Sequence, residues 1–357
     1  MAKGSVTLRQ IADRAQVSVA TVSYVLGGKG RMSRDTRSSI ESMLREAGVR
    51  PKYKRYPVFY ISDHRAFKDV HAFAPFLQLY DGLNESFHDA EVNLRIEFLH
   101  LPGSGALQAQ LERLLSYRPG GVVLDASLID LAETARFFEK NQVPVVQVGH
   151  TVRVDGIDAV VVDSFGGAYM AIRHFITAGH RRIGIARWYV HGDPASSKKF
   201  AGYQCALSEA GIPMRDEYVV ESPFTREGDH LPGRVAVEKL LALPEPPTAV
   251  FIENSFISPS LLFTTHPHEL EIPKAIRDLD IIHFEAWHLE WLNQVLAQKL
   301  CYTPLQAKLI RIDWKELGRV AAKRLAVRME GVPNSGQIVQ LVPSLFEAKS
   351  DEYTPIP

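Results

Sequence analysis

The chain has 357 residues, 46% hydrophobic and 23% charged, with 41 Lys and Arg against 41 Asp and Glu. That is the composition of a globular protein of roughly two or three domains. No uncharged apolar run of about 18 residues marks a membrane span, "MAKGSVTLRQ" carries no apolar leader, and Cys205 and Cys301 fit no metal or redox spacing, so a reduced cytoplasm is expected.

The neutral total hides a segregation of charge. Residues 1–56 hold twelve Lys and Arg but four Asp and Glu, a net +8, which leaves −8 for the rest. A basic head on an acidic body implies a polyanionic partner for the head. The head is also patterned to fold. Thr7 and Gln10 have capping-box spacing, and Leu8, Ile11, Ala12 and Ala15 share one helical face. "QVS" breaks that period and sets Ser18 as the cap of a second helix, Val19 to Leu26. Val22, Val25 and Leu26 point inward there, and Ala20, Thr21, Ser23 and Tyr24 outward. "GGKG" ends it. Ser33 caps a third helix, about Arg34 to Ala47, with Ile40, Met43 and Leu44 as its apolar stripe.

Three short helices in this order predict a helix-turn-helix module, its second helix lying in the major groove of double-stranded DNA. A plain three-helix bundle would share the pattern but has no need of the charge. Thr21 and Ser23 are expected to donate to phosphates or bases, and Ala20 or the Thr21 methyl to meet a thymine methyl. Lys29, Arg31, Arg34 and Arg37 are expected to hold phosphates. Thr7, Ser18 and Val19, at the helix starts, complete the set.

From Tyr56-Pro57 onward, apolar strand-length runs alternate with amphipathic helices. "VFYIS", "VNLRIEFLHL", "GGVVLDA", "VPVVQVGH" and "DAVVVDS" read as strands, separated by "FLQLYDGLNESFHDA", "ALQAQLERLLSY" and "LAETARFFEKNQ" as helices. The alternation resumes with "GGAYMAIRHFITAG", "RRIGIARW", "SKKFAGYQCALSEAG", "EYVVES", "GRVAVEKLLAL" and "TAVFIEN", and later "LDIIHFE" and "AKLIRID". This predicts an α/β class: two doubly wound parallel sheets forming two lobes around a cleft, with ligands at the carboxyl ends of the strands. "HPHE" (266–269) lies in a Pro-rich loop and reads as solvated surface rather than a metal site. No nucleophile elbow, phosphate loop or dinucleotide fingerprint appears, so neither an enzyme nor a cofactor is expected.

"TLRQIADRAQVSVATVSYVLGG" with "MSRDTRSSIESMLREAGVRP" resembles the head of the lactose-repressor/galactose-repressor family of bacterial transcription regulators. "AGHRRIGIA", "VVVDSFGGAYMAIRHF", "FAGYQCALSEAGI", "PTAVFIEN" and "LGRVAAKRL" resemble segments of that family's periplasmic-binding-protein-like core. The resemblance implies a helix-turn-helix domain over 1–50, a linker over 51–57, and an effector-binding and dimerisation core over 58–357. Within the core it implies a first lobe of 58–162 and 304–325 and a second of 163–303 and 326–357. It further implies a cytoplasmic, nucleoid-associated homodimer that binds a palindromic operator, as a repressor, under a small-molecule effector such as a sugar or sugar phosphate.

Against the family's pattern the chain departs in three places. After Pro51 no Ala-x-x-Leu follows, and Pro57 stands where a hinge helix would continue. No leucine wedge is therefore expected, and Lys52, Lys54 and Arg55 are expected to hold phosphates. Tyr24 replaces a frequent arginine, the usual bidentate guanine reader. In the cleft, Lys199 replaces an arginine and Glu285 takes a carboxylate's place, with Asn254, Asp125, Phe73 and Phe76 completing the expected effector set. The pocket is thus either retained in altered form or lost, leaving a ligand-blind DNA binder. A sugar-binding body with an accessory head is the remaining reading.

Overall fold

The computed structural model describes residues 7–26, 32–46, 56–63, 70–89, 92–99, 104–188, 194–222, 232–254, 276, 278–285, 308–333, 335–349 and 352–355. The head consists of α1 (Leu8–Arg14), α2 (Val19–Leu26) and α3 (Arg34–Glu46). Thr7 and Gln10 close the capping box: the Thr7 amide donates to Gln10 Oε1 at 2.8 Å and the Gln10 amide to Thr7 Oγ1 at 3.4 Å. Gln16, at φ +53°, turns the chain between α1 and α2. Ile11, Ala12, Val22, Val25, Ile40 and Leu44 form the buried centre. So small a core leaves much of the head's stability to its caps.

The body runs β1 (Val58–Asp63), α4 (Val70–Asp89), β2 (Leu94–Leu99), α5 (Ser104–Ser116), β3 (Gly121–Asp125), α6 (Leu131–Lys140), β4 (Val145–Gly149) and β5 (Asp158–Val162). It continues α7 (Ser164–Thr177), β6 (Ile183–Trp188), α8 (Pro194–Glu209), β7 (Val219–Ser222), α9 (Pro232–Leu241), β8 (Ala249–Ile252), β9 (Asp280–Phe284) and β10 (Lys308–Arg311). It ends α10 (Trp314–Met329), β11 (Ile338–Leu341), β12 (Ser344–Lys349) and β13 (Glu352–Pro355). The first sheet, of order β11-β5-β4-β3-β1-β2, is parallel throughout. The second, β13-β12-β10-β9-β8-β6-β7, is parallel except for the edge pair β12 and β13. Strands such as β3 and β5 are buried along nearly their whole length. Helices on both faces demand this, which is why these segments read as unbroken apolar runs.

The chain passes between the sheets three times, at 163, at 312–313 and at 342–343. This divides the lobes differently from the expected 304–325 and 326–357. Lys308 to Ile310 pair with Ile282 to Phe284, so β10 belongs to the second sheet. Ile338 to Leu341 pair with Ala159 to Val162, so β11 returns to the first. Strand pairing decides this, and it is not visible in a four-residue segment of alternating exposure. The strands β11, β12 and β13 were not among the predicted elements.

α4 and α10 touch backbone to backbone on the first lobe. A Cβ on Gly82 would lie 1.9 Å from the Lys315 carbonyl oxygen, and one on Gly318 would lie 2.2 Å from that of Leu79. Farther along α10, Arg324 and Arg328 reach the wholly buried Asp158 at the start of β5. Arg328 Nη2 donates to Asp158 Oδ1 at 2.7 Å, and the Gln337 amide donates to the same oxygen at 2.9 Å. Burial pushes this carboxyl up, but these donors outweigh it and hold its pKa below the ordinary 3.8. Its contribution is therefore complete above that ordinary value and fades as pH falls through the lowered folded-state one. Replacing Asp158 with Ala strands two guanidinium groups and is expected to cost about 3–5 kcal/mol. Urea unfolding at neutral pH measures this, and an unchanged midpoint would contradict it.

Candidate functional site

The head presents its surface through α2. The Thr21 amide donates to Ser18 Oγ at 3.0 Å, and the two hydroxyls lie 2.8 Å apart. Ser18 is thus the cap that sets where the helix begins, and the Thr21 hydroxyl rests against it. Val22 and Val25 are buried beneath. Val19 (43% exposed), Ala20, Ser23 and Tyr24 (52%) face outward on one side, an apolar and hydroxyl surface with no long charged side chain. On α3, Arg37 Nη1 donates to the Tyr56 hydroxyl at 3.2 Å. Tyr56 leans on the first lobe: a Cβ on Gly120 would meet Tyr56 Cβ at 3.1 Å and the Met329 methyl at 3.0 Å. Lys29, Arg31, Lys52, Lys54 and Arg55 lie outside the described residues. Arg34 opens α3 and Phe73 falls within α4, and of both only the backbone is described.

In the body the carboxyl ends of the two parallel sheets meet. On the first lobe Asp125 ends β3. Tyr60 Oη donates to its Oδ2 at 2.6 Å, Ser62 Oγ to the same oxygen at 3.2 Å, and the Ser127 amide to Oδ1 at 2.8 Å. Burial first, and the Asp125 charge second, push the Tyr60 phenol well above 10, so it stays a donor. Phe76 stacks on Tyr60 with ring centroids 5.4 Å apart and is 5% exposed, so it backs the Tyr60–Asp125 pair from within the core.

On the second lobe Lys199 of α8 is buried. Its Nζ donates to the Glu253 carbonyl at 2.9 Å and lies 4.3 Å from the Phe284 ring centre. Beside it Ser196 Oγ donates to Glu253 Oε1 at 2.7 Å and receives Arg187 Nη2 at 3.1 Å. Arg187 also reaches Glu253 at 3.5 Å and Glu221 at 3.2 Å, and covers the Phe200 ring at 4.2 Å. Asn254 follows Glu253 at the end of β8. Glu285 follows β9 with its backbone at φ +58°. Its carboxylate accepts from Trp314 Nε1 at 2.6 Å and lies 3.3 Å from His150 Nε2.

The predicted residues Asp125, Lys199, Asn254 and Glu285 therefore all sit at strand ends or on a helix bordering them, as expected. Sequence reasoning missed Arg187, Ser196, Glu253, His150 and Trp314. A charged residue closing an apolar strand, as in "IGIARW" and "AVFIEN", is the signal that could have found Arg187 and Glu253. The "HPHE" segment lies outside the described residues. Among those described, no cluster of three or more His, Cys, Asp or Glu could hold a metal, and no helix is long and apolar enough to cross a membrane.

Residues 7–52 match the family of bacterial regulatory proteins called lacI, and residues 172–350 match the periplasmic binding protein-like domain. The chain is 28% identical over 335 residues to the HTH-type transcriptional repressor CytR of Escherichia coli (strain K12), covering 91% of this chain and 90% of that one. The fold is shared with a transcriptional regulator CelR in complex with cellobiose, at TM-score 0.59 and 21% identity over 95% of this chain and 98% of that. It is shared too with a lac repressor dimer bound to operator and an anti-inducer, at TM-score 0.57 and 18% identity over 97% and 99%.

His283 reports on how dry the floor of the second lobe is. It is 4% exposed within β9, and burial pushes its pKa from 6.5 down to about 3. The unfolded chain takes up a proton below about pH 6.5 that the folded chain refuses. Stability from this residue therefore falls as pH drops from there towards the folded value, by up to about 1.4 kcal/mol per pH unit. The His283 ring resonances of the folded chain are expected to stay constant between about pH 5 and 8. A titration within that window by NMR would show that water reaches the ring.

Proposed function

The chain belongs to the LacI family of bacterial regulatory proteins and is a DNA-binding transcription regulator, and from that premise we propose that it works as a homodimeric repressor under small-molecule control. The observation that carries this reading is the exposed face of α2, short and uncharged, within a head of net +8. Short side chains bring the backbone close to base edges while flanking cations grip the strands. One head covers few phosphates, so two heads are needed, on half-sites about 34 Å apart. Tyr24 stands exposed where it meets a thymine methyl or a phosphate rather than forking onto guanine.

The effector is a neutral, sugar-like polyol seated between the lobes, with Asp125, Asn254 and Glu285 as polar contacts and Phe76 behind Asp125. Cellobiose in the CelR structure is a ligand of this class. Lys199, buried against Glu253 and Phe284, favours a neutral ligand over a phosphorylated one. A second reading, a ligand-blind core, is favoured by the donors Asp125 and Glu285 already hold. Calorimetric titration with matched neutral and phosphorylated sugars separates the two. Heat with neutral sugars alone supports the first reading, and silence with every sugar and unchanged operator affinity supports the second.

Coupling between core and head runs through Tyr56. Arg37 is one of the cations assigned to phosphate, and it donates to Tyr56, which is seated on Gly120. Binding DNA and docking to the core draw on the same guanidinium.

Two outcomes follow. Full-length protein is expected to prefer selected palindromic duplexes over unrelated competitor, with affinity falling steeply and log-linearly with salt. Equal affinity for every duplex at modest ionic strength would refute the function. Tyr56→Phe is expected to tighten operator binding by between about twofold and tenfold, because about 0.5–1.5 kcal/mol of competing hydrogen bond is removed. An unchanged or weakened affinity in the same gel-shift assay would exclude this route.

A further inference from the structure

The Glu285 side chain joins the two lobes across the cleft floor. It belongs to the second lobe, where its amide donates to the Ile310 carbonyl at 2.8 Å on the neighbouring strand. Both groups that hold its carboxylate belong to the first. Trp314 opens α10 immediately after the crossing at 312–313, and its indole Nε1 donates to Oε1 at 2.6 Å. His150 follows β4, with Nε2 3.3 Å from Oε2. The imidazole meets the Trp314 ring edge-on, centroids 5.0 Å apart at 82°. The Glu285 side chain is 12% exposed and Trp314 is 7% exposed, so these bonds form in a medium where they are strong.

The backbone supports the same assignment. A non-glycine residue at φ +58° is sterically disfavoured and persists where its surroundings over-determine it. That conformation follows directly on β9 and leaves the carboxylate aimed at the opposite lobe. His150 Nδ1 is buried with no hydrogen-bond partner. Among the described contacts of the ring, its polar hold is therefore Glu285.

We propose that Glu285, positioned by Trp314 and His150, is the lock that fixes the first lobe to the second at the cleft floor. The chain crosses between the lobes three times, and a shared carboxylate beside one of these crossings sets how far the lobes separate. Where the effector reading above holds, which this clause alone rests on, an occupant of the cleft acts by supplying hydroxyl donors that take Glu285 from Trp314.

The test uses full-length protein, without ligand, as Trp314→Phe, Glu285→Gln and the double variant. Phe keeps the ring and loses the indole donor, and Gln keeps the shape and loses the charge. Hydrogen exchange is followed by mass spectrometry across 145–151, 280–285 and 308–314. Each single variant is expected to lose protection roughly tenfold or more in segments of both lobes. The double variant is expected to lose little beyond the larger single loss, since the pair acts as one unit. Peptides within β1 and β3 are expected to stay as they were, and the radius of gyration in solution to rise. Unchanged exchange in both single variants overturns the lock, as does a loss confined to one lobe or spread through its interior. Operator binding measured on the same samples keeps the two ideas apart. Wild-type protein that ignores DNA refutes the regulator, and the exchange data still decide the lock.

Discussion

In a parallel sheet every strand delivers its last residue to the same edge, and the body of this protein is built from one such sheet and a second that is parallel from β7 to β10, joined by three crossings. Their carboxyl edges meet at one gap, shown by the 3.3 Å approach of His150, after β4, to Glu285, after β9. The polar groups of the cleft follow from that polarity: Asp125 ends β3, Arg187 stands next to the end of β6, and Glu253 and Glu285 follow β8 and β9, where the apolar run that fills the sheet stops. Helices covering both faces leave this edge as the place where side chains from both lobes can converge.

The charges at that edge do not stand open. Arg187 is shared between Glu253, Glu221 and Ser196, Lys199 is spent on a carbonyl and an aromatic face, and Asp125 collects three donors. In a low dielectric, satisfied networks of this kind are rigid and half-satisfied ones are costly.

The head obeys a different economy. Among the described residues its centre is six apolar side chains, and hydroxyl caps at Thr7, Ser18 and Ser33 define the helix starts. Because Ser18 fixes where α2 begins, it also fixes which side chains point outward, so a stability device determines the reading surface. Among the described residues, Tyr56 links the head to the body by accepting from the guanidinium of Arg37.

Local chemistry is legible in a sequence, so the caps and the buried face of the head were readable: cap and period act within four positions of one another. The α/β alternation was equally plain, because two-sided burial writes unbroken apolar runs. The cleft was legible only by position. That Asp125, Lys199, Asn254 and Glu285 border it could be expected, but that Tyr60, Glu253, Trp314 and His150 hold the first, second and fourth of these could not. Trp314 and His150 lie 29 and 135 residues from Glu285, Glu253 lies 54 from Lys199, and Tyr60 lies 65 from Asp125. The membership of β10 and β11 was likewise settled by pairing, since four-residue strands carry no mark of the sheet they join. What the sequence by itself determined is the helices and strands up to β10, though not β11, β12 and β13, and which face of α2 is exposed. What only the tertiary structure decided is which strand ends meet, because those contacts depend on the order of strands in two sheets and the points at which the chain crosses between them.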